Sequence, residues 1–219
     1  MSEVDSARDA ALEERRARLQ AALDDLKPAA LFRIWTHPAR TVRALLQLRP
    51  ERRLHQLSMT SGIGLVFVVC TVGGLGRDVR FSDLLTLIIL MGGLCGMTAL
   101  YAGAEIASRI GRKLGGHGDA IAMRCALGWG AAPWAESSLV LAGLTFAALG
   151  RGTFAQPPGS VPAVVVSIAA GLLLAWSIRT WRITIAEAHG ITRGAAGLTL
   201  LATAGILILA GAGLLAVLF

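Results

Sequence analysis

Glu136 is the residue of this chain best placed to do chemistry. It stands in the apolar run AAPWAESSLVL, with Ser137 and Ser138 beside it and Pro133 three positions earlier. A charge at the centre of a bilayer costs about 2.5–3.5 kcal/mol even on lenient insertion scales, so such residues mark ion, proton or substrate paths, or buried hydrogen-bonded contacts. Pro133 removes a backbone donor and can kink the helix beside the carboxyl group. At the rise of an α-helix, Glu136 lies about 18 Å from Arg124, toward mid-membrane, and shallower if the span begins near Ala131. Proton or ion coupling is the chemistry open to it. The structural alternative is a protonated or hydrogen-bonded packing glutamate.

The other pairings carry less. Glu105 and Arg109 are four apart, the spacing of a helical ion pair. Glu187 and His189, in AEAHG, offer two metal ligands without a third, and His117 and Asp119, in GGHGD, form a turn. Cys70, Cys95 and Cys125 match no zinc or redox spacing and read as small buried hydrophobes. No HExxH, GxSxG or P-loop pattern occurs, so no enzyme, cofactor or metal is expected.

The elements that must position these residues are membrane spans. Hydrophobic residues make up 54% of the 219 and charged residues only 16%, and the mean hydropathy is +0.62, a balance that belongs to a bilayer protein. Apolar stretches at 56–76, 83–104, 125–149, 161–178 and 195–217 are near or above the roughly 20 residues a crossing helix needs. Lipid satisfies no backbone group, so these segments are helices. The fold expected is all-α, a polytopic transmembrane bundle of five spans preceded by cytoplasmic amphipathic helices.

Lys and Arg number 11 before the first span, then 2, 4, 1, 3 and 0 in the successive segments. The positive-inside rule then places the N-terminus in the cytoplasm and the C-terminus on the far side. That distribution accounts for the net charge of +7 without nucleic acid. No signal peptide opens the chain, so the first span acts as its own insertion signal. Trp129, Trp134, Trp176 and Trp181 fall near proposed cytoplasmic ends, as interfacial anchors do. Gly92, Gly96, Ala99 and Gly103 put four small residues on one face of the second span, a candidate helix-packing face within the chain or between copies. Gly73, Gly74 and Gly76 end the first span.

Residues 1–26 read as a polar cytoplasmic helix with a narrow stripe of Leu12, Leu19, Leu23 and Leu26, and with four basic against seven acidic residues. Residues 27–55 reverse the balance to seven basic against one acidic, and Leu31, Phe32, Ile34, Trp35, Val42, Leu45, Leu46 and Leu48 give them an apolar face. A basic amphipathic segment ahead of a span is expected to lie in the headgroup plane, as two short helices starting near Pro38 and Pro50. Arg40, Arg43, Arg49, Arg52 and Arg53 are the candidate contacts to an anionic cytoplasmic leaflet. At about 1 kcal/mol per cation, the net charge of this segment is worth at most about 6 kcal/mol. Residues 56–219 form the five-span domain.

The segment RIWTHPARTVRALLQLRPERRLHQL resembles the approach to the first span in the bacterial Yip family, relatives of the Ypt/Rab-interacting proteins of eukaryotes. There an aromatic, a Pro-Arg-like pair and a basic amphipathic helix precede five spans. LYAGAEIASRIGRKLGGHGDAIAMRCALGWGAAPW and WSIRTWRITIAEAHGITRGAA are similar to later cytoplasmic stretches of that family. The resemblance covers about residues 40–210 and implies a five-span membrane protein. Eukaryotic relatives are associated with prenylated small GTPases, vesicle traffic and membrane shaping; no catalytic residue carries over.

Three functions follow as expectations. The first is a non-enzymatic protein that organises lipid or recruits partners through its N-terminal helices. The second is a small transporter or channel using Glu136. The third is an accessory subunit, or a homo-oligomer, docked through Gly92, Gly96 and Gly103.

Overall fold

The computed structural model describes residues 13, 14, 17, 30–48, 51, 53–77 and 79–218. The expected helix at 1–26 lies outside the described residues except for Glu13, Glu14 and Ala17, which are helical and exposed. Among the described residues there are helices and no strands: α1 (Ala30–Thr36), α2 (Pro38–Leu48), α3 (Leu54–Gly73), α4 (Phe81–Lys113), α5 (Ala120–Gly130), α6 (Ala132–Leu149), α7 (Val161–His189) and α8 (Arg193–Leu218). Five helical segments are long and apolar enough to cross a membrane, α5 and α6 together forming the third.

Local chemistry sets the boundaries. Gly74 and Gly190 close α3 and α7 in the left-handed conformation, at φ 63° and 70°, where glycine carries no Cβ penalty. Asp119 caps α5 by accepting a hydrogen bond from the Ala122 N–H at 2.7 Å. Pro38, Pro133 and Pro162 occupy first turns, where their missing N–H has no intrahelical partner to lose.

Four boundaries differ from expectation. α4 and α7 run on to Lys113 and His189, about 50 and 44 Å of helix against about 30 Å of hydrocarbon. Hydropathy marks where lipid ends, but neither AEIASRIGRK nor IRTWRITIAEAH holds a proline to stop the helix there. The third span breaks at Ala131, so Pro133 opens a helix instead of kinking one. The two short N-terminal helices meet at His37, with α1 ahead of Pro38; the expected start at Pro50 falls outside the described residues.

The bundle is built on α3 against α4. A Cβ added to Gly62 would overlap the carbonyl oxygen of Gly92, and one on Gly96 would overlap that of Ser58. Backbone therefore lies on backbone, the arrangement that lets helices associate where lipid supplies no hydrophobic drive. α6 packs along α3 and α7, while α8 lies along α4 and α7.

Candidate functional site

α1 and α2 form a strap across one end of the bundle. Ile34, Val42 and Leu45 are buried against Leu54, Leu57, Leu100, Cys125, Trp129, Ala132 and Ala135, drawn from α3, α4, α5 and α6. This corrects the expectation that the apolar face of 27–55 lies in the headgroup plane. The bundle offers that face close-packed partners, and among its residues whose burial is described only Phe32, 76% exposed, is left pointing away.

Two directed contacts fasten the strap to the bundle. The Trp35 indole Nε1–H donates to Oε2 of Glu136 at 2.9 Å, and its ring lies 6.4 Å from that of Trp176 on α7. Arg43 reaches Glu187 through Nη2 and Nε, at 2.6 and 3.1 Å. Within the strap, Thr41 turns its hydroxyl back to the His37 carbonyl at 3.0 Å, and Arg40 and Gln47, with Arg53 just beyond α2, are exposed.

Of the polar quartet around Glu136, the structure brings only the glutamate to the strap. Ser137 and Ser138 donate to the carbonyls of Pro133 and Ala135 on their own helix, at 2.6 and 3.1 Å. Glu136 sits in the second turn of α6, about 6 Å from its start, and α6 alone spans about 27 Å. Within α6 the carboxyl group therefore stands near the helix start, while along the whole third segment, Ala120–Phe154, Glu136 falls near the middle. Oε1 is buried without a hydrogen-bond partner among the described residues.

A second junction fills the same end. His189 is 1% exposed and is enclosed by the turn between α4 and α5. Gly118 N–H donates to its Nδ1 at 3.1 Å, and its Nε2 lies 3.2 Å from the Ala107 carbonyl. Because Nδ1 accepts, Nε2 carries the proton, and both ring nitrogens are spent on backbone. A Cβ on Gly111 would overlap the imidazole, and Cβ atoms on Gly116 and Gly118 would crowd it at 2.7 and 2.9 Å. The His117 N–H closes the junction on the His189 carbonyl at 3.0 Å. Glu187 is held by Arg43 and the His189 ring nitrogens by backbone, and no group of three metal-capable side chains occurs among the described residues. GGHGD and AEAHG are each faint in the sequence; their meeting depends on α4 and α7 ending at the same level.

The remaining candidates are placed as follows. Arg40 and Arg53 are exposed, Arg43 is paired, and Arg49 and Arg52 lie outside the described residues. Gly92 and Gly96 pack on α3, Gly103 faces Leu127 and Leu207, and Ala99 is exposed, so the small-residue face divides among several neighbours of one chain. Glu105 pairs with Arg109 at 2.9 Å. Cys70 and Cys125 are buried and Cys95 is exposed. Sequence reading missed a polar chain at the start of α3: His55 and Tyr101 meet at 2.6 Å, the Arg124 guanidinium lies 5.4 Å from the Tyr101 ring, and Arg124 reaches Glu51 at 3.4 Å. Its members come from separate elements, with no spacing to announce them.

Neither the curated proteins nor the solved structures yield a match to this chain. Residues 32–215 match the Yip1 domain, from the strap's Phe32 through the fifth span. With five apolar helices behind that strap, the chain belongs to the Yip1 domain family of integral membrane proteins.

Proposed function

We propose that this protein is a non-enzymatic membrane organiser whose strap forms a fixed, outward-facing cationic surface on the cytoplasmic side of a bacterial inner membrane. The observation that carries this reading is the docking of α1–α2: its apolar residues are consumed by the bundle, while Phe32, Arg40 and Arg53 are left exposed. A surface held rigidly on five anchored helices meets anionic headgroups, or an acidic partner protein, without first having to order itself. The distribution of Lys and Arg supports the orientation.

The test uses the full chain. Deleting residues 1–55 would remove Leu54 with the strap, uncover Leu57, Leu100 and Trp129, and confound any result. The double variant Arg40→Glu, Arg53→Glu leaves the buried face intact. It should reduce the preference for anionic over zwitterionic lipid in mixed nanodiscs by at least about tenfold, from about 1 kcal/mol per cation lost. The same variant should lose partners recovered by cross-linking in cells. If lipid preference and partner recovery both match the parent protein, the reading fails.

A further inference from the structure

A cleft of about 320 Å³ opens between α3 and α8, with α4 and α7 as its flanks. Leu65, Cys95 and Ile208 line it and are themselves exposed on the outside of the bundle, so the cleft is continuous with the lipid-facing surface. Trp134 and Trp181 line its inner end. Their indole N–H groups are spent on the carbonyls of Ser61 and Leu127, at 2.9 and 2.8 Å, so neither is free for an occupant of the cleft. No charged side chain lines it. Of its hydroxyls, that of Thr203 is spent on the Thr199 carbonyl at 2.7 Å.

We propose that this cleft holds one hydrocarbon tail of a bilayer phospholipid. Water is a poor occupant, because a cavity with this lining offers too few polar partners to keep it. A helix from a second copy is too thick: at about 10 Å diameter, a 10 Å length of helix fills about 800 Å³. The α3 lining runs from Ser58 to Leu65, about 10 Å of helix, a length that suits part of one extended acyl chain. The inference stands apart from the headgroup reading of the strap, since it concerns another region and the other end of a lipid molecule.

The test reads the two indoles at the inner end. The full chain is reconstituted in phosphatidylcholine vesicles whose acyl chains carry bromine, and tryptophan quenching is compared with that in unbrominated vesicles. Ala204 lines the cleft, so Ala204→Phe plugs it; Leu209→Phe, on a residue 73% exposed elsewhere on α8, is the control. Two of the five tryptophans line the cleft. The plug should remove a large part of the quenching while the control matches the parent protein. Size exclusion establishes that the plugged chain is folded, and Ala204→Leu replaces it if it is not. Equal quenching in plug and control, or no quenching in the parent beyond that of lipid-exposed Trp176, overturns the proposal.

Discussion

The two ends of this bundle are held by different forces. At the strap end, bonds are directed: Trp35 to Glu136, Trp181 to the Leu127 carbonyl, Thr184 to that of Ala126, and Gly118 to His189. At the opposite end, Phe67, Phe81, Phe146 and Phe154 gather with ring centroids 5.4–6.1 Å apart, each of these pairs tilted or edge-on. Aromatic packing of this kind gains dispersion energy and a mild preference for edge contact, and it tolerates small shifts. Hydrogen bonds in a region of low dielectric do not, because each fixes a donor against one acceptor and leaves an orphan when broken. One end is therefore filled and the other is specified. That is what a protein presenting a surface from its strap requires.

The largest test of this contrast is Gly111→Val. Its side chain would occupy the space of the His189 ring and force apart the ends of α4 and α7. We expect a loss of about 3 kcal/mol or more, seen as a lowered Tm in detergent. Adding His189→Ala to the same chain should restore part of the loss by vacating the space. If the double variant is no better than Gly111→Val alone, the junction is not what the valine disrupts.

Phe154→Ala probes the other end. Phe154 is 1% exposed and touches all three neighbouring rings, so its removal leaves a cavity worth about 3 kcal/mol. The stability loss should rival that of Gly111→Val, yet hydrogen exchange in α1 and α2 should match the parent protein. Faster exchange in the strap would show that the two ends are one cooperative unit and would erase the distinction drawn between them.

Trp35→Phe keeps the ring beside Trp176 and removes only the donor to Glu136. With both carboxyl oxygens then lacking a partner, we expect about 1–2 kcal/mol of local destabilisation, read as faster exchange over residues 30–48 with little change in the global Tm. Glu136→Gln keeps an acceptor and should be milder. It also tests the transporter reading: if the parent protein in liposomes conducts protons or ions and the glutamine variant does not, Glu136 is a coupling group and not a strap tether.

How much of this was legible beforehand follows the range of the interactions involved. Five spans could be read because apolar length is a local property, but the break of the third at Ala131 could not, since Pro133 announced only a kink in a continuous helix. Glu136 stood out because a carboxylate in an apolar run is conspicuous whatever it contacts. Its partner did not, since Trp35 lies 101 residues away on a segment whose apolar face suited lipid as well as protein. The same ambiguity hid the strap: amphipathicity reports that a face will be buried, not against what. Glycines were harder still. Gly62 pairs with Gly92 and Gly96 through a helix crossing, and Gly111 matters only because His189 fills the space beside it.

The smallest effect belongs to the most visible fastening. Arg43 and Glu187 make the shortest contact between strap and bundle, 2.6 Å, but their side chains are 62% and 26% exposed. Water and salt screen such a pair, and holding two long side chains together costs entropy that offsets much of the attraction. Arg43→Ala should therefore cost no more than about 0.5 kcal/mol, with strap exchange slightly faster at low ionic strength and indistinguishable from the parent at high salt. A loss as large as that of Trp35→Phe would mean that the strap is held by charge instead of by its buried face and the indole bond. The strap end would then loosen with ionic strength while the phenylalanine end did not, and the contrast between the two ends would become one of salt sensitivity instead of directionality.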